Sequence, residues 1–318
     1  MRAGGMAGTW ALAAVAGAAP LAGQASRPPA GDVQAEMRHV DYRIDSTIVL
    51  QITYLRGALR PTGNQPPYFD DKRSFVLAID SAVIGISPTA LGQLLDRYVF
   101  SYPGSPLRHL SLTVKDGQVE QRGRLRGMAF SVVGELTVTP TGELRLHPTS
   151  IKAGGIPVRG LMKLFGLNLQ KLVKLRGTAG VRIDENDFLL SPAELLPPPK
   201  VQGRVTKVEV RDTAVVSIFR SEKSRIEALQ LPDTAARNYM FYRGGVLRFG
   251  KLTMTDADLM IVDADPHDPL EFFLDNYNRQ LVAGYERNTP DHGLIVHMPD
   301  YRRVVEVRPQ GRQRPPQP

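Results

Sequence analysis

Acidic side chains are the densest chemical signal in this sequence. Asp256, Asp258, Asp263, Asp265, His267 and Asp268 fall within one short stretch. Oxygen ligands at alternate positions suit a hard cation such as calcium. Against that, Pro266 interrupts the run and the turn glycine of a calcium loop is missing. Asp268 also opens a capping box, Asp268-Pro269-Leu270-Glu271, which predicts a helix with Leu270, Phe273, Leu274, Tyr277 and Leu281 on one face. The stretch therefore reads as a solvated acidic turn, and no metal is assigned. The six histidines (His39, His109, His147, His267, His292, His297) show no tight metal spacing on a predicted helix. Cysteine is absent, so disulfides, thiolate nucleophiles and cysteine zinc sites are excluded. The sequence has no Walker A loop, dinucleotide glycine fingerprint, HExxH or GxSxG. No catalytic residue or cofactor is assigned, and the expectation is a protein that is not an enzyme.

The elements that could position a binding site are mostly strands. Twenty-nine glycines and 25 prolines in 318 residues favour many short strands over a helical bundle. Residues 40–59 alternate imperfectly and read as one or two strands, and Ser74 to Ile86 as one long strand. Ser87-Pro88 is an N-cap followed by proline at the first helical position. It opens a helix with Leu91, Leu94, Leu95 and Tyr98 on one face. Asp116-Gly117 and Pro140-Thr141-Gly142 punctuate a four-strand meander whose alternation implies a sheet with one covered face. A short hairpin crosses Glu185-Asn186-Asp187. Ser191-Pro192 begins a single helical turn that stops at Pro197-Pro198-Pro199. Residues 207–218 and 251–262 align without gaps, both as strand, Asp-centred turn, strand. The echo reads as two hairpins obeying one pattern rather than as a duplication. Tyr239-Met240-Phe241-Tyr242-Arg243 mixes aromatics with a cation and reads as core packing; no nucleic-acid partner is expected.

One stretch, residues 148–177, stands apart. Leu161, Leu164, Phe165, Leu169 and Leu172 recur at helical spacing, with Lys163, Lys171 and Lys174 on other faces. No carboxylate occurs between Glu143 and Asp184. An apolar face with basic flanks suits an ordinary core helix, the cover of a sheet-lined groove, or a membrane surface. At the N-terminus, Arg2 and the apolar run 9–22 lead to Gly23-Gln24-Ala25, the pattern of a signal peptide cleaved after Ala25. The expected location is the periplasm or outside the cell. A net charge of +8 permits contact with an anionic membrane surface. The expected organisation is a signal peptide (1–25), leader and strands (26–73), a core domain (74–221), a strand and helix extension (222–305) and a disordered tail (306–318).

The order of these elements resembles the LmeA-like bacterial phospholipid-binding proteins of the tubular lipid-binding superfamily. The pieces that carry the resemblance are AVIGISPTALGQLLDRYVF, the meander, LRLHPTSIKAGGIPVRGLMKLFG and DENDFLLSPAELLPPP, within residues 80–219. The long N-terminal strands and residues 222–298 depart from a minimal member. The resemblance implies an α+β fold, a highly curved antiparallel sheet wrapped around a long amphipathic helix, with an apolar groove and no catalytic residue. On this reading Leu161, Leu164, Phe165, Leu169 and Leu172 contact acyl chains. Leu91, Leu94 and Leu95 line or cap one end, and Lys163, Lys171 and Lys174 meet the head group. The expected function is binding or transfer of a phospholipid or acyl chain. The alternative is an envelope scaffold or interaction module with a dry, packed core.

Overall fold

The computed structural model describes residues 31–158, 180–221 and 227–306. The signal-peptide pattern, the 159–176 helical pattern and the tail from 307 lie outside the described residues. Three long strands begin the chain: β1 (Val33–Arg43), β2 (Val49–Pro61) and β3 (Phe75–Ile86). Helix α1 (Pro88–Leu94) follows and widens into a π-turn over Leu95–Val99. A second meander holds β4 (Leu107–Lys115), β5 (Gln118–Leu125), β6 (Met128–Val138) and β7 (Leu144–Ala153). It is extended by β8 (Ile156–Pro157), β9 (Val181–Asp184) and β10 (Asp187–Leu190). Then come α2 (Pro192–Leu195), β11 (Lys200–Gln202), β12 (Val205–Arg211) and β13 (Ala214–Arg220). The C-terminal part contains β14 (Tyr239–Arg243), β15 (Leu247–Phe249), β16 (Leu252–Met254), β17 (Asp258–Asp263) and β18 (Leu270–Phe273). It ends with α3 (Tyr277–Ala283), β19 (Tyr285–Asn288), β20 (Leu294–Met298) and α4 (Tyr301–Glu306).

The chain is sheet-rich and its pairings are mostly antiparallel. One eleven-stranded sheet runs β12-β13-β3-β2-β1-β14-β17-β20-β19, with β11 added to β3 and β18 to β1. It draws strands from both ends of the chain, so β1–β3, β11–β14 and β17–β20 share one hydrogen-bonded surface, while β15 and β16 pair separately. A seven-stranded sheet runs β4-β5-β6-β7-β10-β9, with β8 on β7. Leu136, Val138, Leu144 and Leu190 bring it against the main core beside Val205 and Phe219.

Local signals act where expected. Ser87 Oγ accepts the Ala90 N–H at 3.1 Å and caps α1. Asp116-Gly117 turns β4 into β5, both residues at positive φ. Gly92 lets α1 lie directly on β4, since a Cβ there would sit 2.7 Å from the Leu112 nitrogen.

Two expectations are corrected. The capping box does not start a helix. Leu270–Phe273 instead pair in parallel with Val40–Arg43, with Leu270 and Phe272 fully buried, and the helix begins at Tyr277. A ladder partner and a core for alternate side chains outweigh a local capping preference of about 1 kcal/mol. The echoing segments also differ. Residues 207–218 form the β12–β13 hairpin, whereas β16 pairs with β15 and β17 lies between β14 and β20.

The imperfect alternation of residues 40–59 has a structural cause. β-Bulges interrupt the β2–β3 register between Ile52 and Tyr54 and between Arg56 and Gly57. Each extra residue switches which parity faces inward. As a result Phe75, Leu77 and Ile79 share one face with Ala82, Ile84 and Ile86 despite opposite parity. Gly57 is required at the second bulge, because a Cβ would lie 2.2 Å from the Ala78 carbonyl oxygen.

Candidate functional site

That continuous inner face of β1, β2, β3 and β13 is not fully covered. Between it and a strap formed by α1, α2 and residues 196–201 lies an apolar cavity of about 150 Å³. Phe75, Leu77, Ile79, Ile84 and Ile86 line it along β3, a strand roughly 35 Å long at 3.3 Å per residue. Spread along such a length, the volume describes a narrow slot. Opposite stand Leu91, Leu94, Leu195 and Leu196. Pro197-Pro198-Pro199 continues this wall. Prolines offer no N–H to a ladder, so the strap spans the sheet without joining it until β11. Leu50, Leu77, Ile84 and Ile86 remain only partly buried although they point to the inside of the protein.

The slot is closed at one side by an aromatic pile. Phe69, from the loop before β3, meets Tyr242, Phe249 and Tyr277 edge-on at centroid distances of 5.3, 5.5 and 5.8 Å. Phe69, Phe75, Tyr242 and Phe272 belong to both pile and slot wall.

Charged groups in the lining sit together. Lys72 Nζ donates to both carboxylate oxygens of Asp275 at 2.8 Å. Both side chains are partly exposed. Arg43 pairs across the β1–β18 register with Phe273, two residues from Asp275. Its Nε donates to Glu271 Oε1 at 2.8 Å. Glu271 is buried and also accepts from Arg302, through the side chain and the backbone N–H. Gln280, fully buried, donates to the carbonyls of Glu271 and Pro299 and accepts from the Phe273 N–H. These bonds fix β18 and α3 rigidly against the slot's polar end.

The acidic residues singled out from the sequence divide. Asp263 and Asp268 meet Asp300, with one oxygen of each within 4.8 Å of the others. Burial pushes the Asp263 carboxyl up to about 7; Asp300 and Asp268 add to the rise, while hydrogen bonds from the Asp265 N–H and Asn238 oppose it. Asp300 is also raised, chiefly by burial, although it accepts from the Glu271 N–H at 2.9 Å. Asp265 instead pairs with Arg303 and caps the His267 N–H. Asp256 and Asp258 lie at the far end of β17. Asp263 and Asp300 are each held by protein donors, the Asp265 N–H and Asn238 for Asp263 and the Glu271 N–H for Asp300.

Of the expected ligand-contacting residues, Leu91 and Leu94 line the slot. Leu95 turns away into a separate cluster with Val99, Phe100, Leu107 and Leu110. Leu161, Leu164, Phe165, Leu169, Leu172, Lys163, Lys171 and Lys174 lie outside the described residues. The inner faces of β1 to β3 and the proline strap were not singled out from the sequence. The bulges hid the period that would have marked the strands, and the Pro197–Pro199 run was the visible signal for the strap. No helix among the described residues is long and apolar enough to cross a membrane. No protein-family model matches the chain, and no curated protein or solved structure is significantly similar to it.

Proposed function

We propose that this protein is an exported envelope protein that binds or transfers a lipid by sheltering an apolar chain in the slot. The observation that carries the reading is a continuous aliphatic face on four strands, left unfilled opposite α1 and the proline strap. Apolar cavities near 150 Å³ lined by aliphatic side chains stay dry and take up apolar solutes of benzene size. A narrow slot of that volume suits one alkyl chain. Each buried methylene contributes about 0.8 kcal/mol, so six would supply roughly 5 kcal/mol. Lys72, Asp275 and Arg43 offer the polar end, where an anionic head group would compete with Asp275 for Lys72. The chemistry is shielding, with no bond made or broken. The resemblance to LmeA-like proteins belongs to the same proposal, as does a tubular fold around the long amphipathic helix expected within residues 148–177; sheltering a chain in the slot requires neither.

The test is uptake of a fluorescent polyene fatty acid by protein purified from Ser26 onward and stripped with organic solvent. Native mass spectra before stripping provide the second readout. Saturable uptake, lost in Leu77→Asp and Ile84→Asp, is expected. Absence of uptake, with no lipid-sized mass on the native protein, would instead favour the envelope scaffold with a dry core, a reading to which the modest cavity volume gives some weight.

A further inference from the structure

A second surface lies on the seven-stranded sheet, in hairpin tips outside the slot wall. The β5–β6 and β7–β8 hairpins end side by side, because Phe130 pairs with Ala153 and Leu125 with Met128. Their tips expose two large apolar side chains, Met128 (57%) and Ile156 (64%). The Met128 sulfur lies over Gly154 in the neighbouring tip. Arg108, Arg124, Arg126 and Lys152 are exposed around them, and none makes an ion pair among the described residues. No carboxylate occurs in residues 97–115, 121–134 or 144–158, which supply these strand ends.

Two details show that the charge is held against local preference. Arg108 and Arg124 stand directly opposite each other in the β4–β5 ladder, and like charges so placed repel. Arg126 occupies the first corner of a two-residue turn at φ 50°, followed by Gly127 at φ 87°. Asn, Asp or Gly is favoured there, and a long side chain pays a steric penalty. An unneutralised cationic ring around an apolar tip calls for an anionic partner with an apolar layer beneath its charge. We propose that this double tip docks on the surface of an anionic bilayer, with Met128 and Ile156 entering the head-group boundary and the four cations meeting lipid phosphates. This docking is independent of the slot reading: it concerns a different sheet and is read on vesicles rather than on ligand uptake.

The experiment is co-sedimentation with vesicles of phosphatidylcholine containing one-third phosphatidylglycerol, against pure phosphatidylcholine, at low and raised salt. Binding should require phosphatidylglycerol and weaken with salt. Arg124→Gln with Arg126→Gln should reduce it on the order of 25-fold, at about fivefold per surface charge. Met128→Ser with Ile156→Ser should reduce binding but leave its salt dependence unchanged. All four positions are exposed, and fatty-acid uptake or, failing that, an unchanged unfolding midpoint shows that each variant is folded. Equal binding to both vesicle types, or binding indifferent to either double variant, would overturn the proposal. So would retention on heparin with no vesicle binding, which would assign the cations to a soluble acidic polymer.

Discussion

The same sheet is solid at one place and hollow at another. Around Phe69 the space is filled by rings meeting edge to face, and Tyr277 is anchored through its hydroxyl to Asp70 and the Gly250 N–H. Strand β14 there is buried on both faces from Tyr239 to Tyr242. Along β3 the facing wall is aliphatic and proline-rich, and Leu77, Ile84 and Ile86 are left partly uncovered. The difference lies in what stands opposite. Flat rings from a loop, three strands and a helix converge and fill the space, whereas a strap of prolines beside a short helix presents no side chains long enough to do so. Dense packing is thus a property of matched surfaces, and hydrophobicity alone does not supply it.

Five substitutions sharpen this contrast. Phe69→Ala removes the centre of the pile and should cost about 3–5 kcal/mol in denaturant unfolding. A cost under about 1 kcal/mol would mean that the pile is not densely packed. Ile84→Trp fills the slot. It should change apo stability by less than about 1 kcal/mol and abolish fatty-acid uptake, while Ile261→Trp in the solid half should cost about 1–3 kcal/mol or more. Similar costs at the two sites would erase the distinction.

Asp263→Asn tests the buried carboxylates that brace the solid half. The folded-state pKa of about 7 stands above the ordinary 3.8. The folded protein therefore holds this proton more tightly than the unfolded chain. The stabilisation is fully present below about pH 4 and is lost as pH rises through 7. Wild-type melting temperature should fall from pH 5 to pH 8, and the Asn variant should fall less, by the equivalent of about 1–2 kcal/mol. Parallel pH profiles would contradict this. The smallest stability effect is expected for Lys72→Ala, within about 0.5 kcal/mol, because its ion pair is partly exposed. Its signature is selective: weaker binding of a fatty acid and unchanged binding of the matching alcohol. Equal loss for both would remove Lys72 from the head-group end.

Turns and caps were legible because they act through neighbouring atoms. Ser87-Pro88, Asp116-Gly117 and the Glu185-Asn186-Asp187 turn each specify backbone angles for the residues beside them. The strand at Leu270–Phe273 was not legible, since its partner, Val40–Arg43, is more than two hundred residues away. Leu91 and Leu94 line the slot, whereas Leu95, on the same helical stripe, faces another cluster. The π-turn that begins at Leu95 changes the period there, and the sequence carries no strong mark of it.

The sequence by itself determined the absence of cysteine chemistry, the strand-rich composition and the positions of the main hairpins. These follow from side-chain identity and from short-range steric rules. Tertiary structure decided that two β-bulges align opposite parities on one face, and that a proline strap lies above that face without filling it. A hollow depends on the volumes of residues from β1 to β13 meeting in space, and no local pattern encodes that sum.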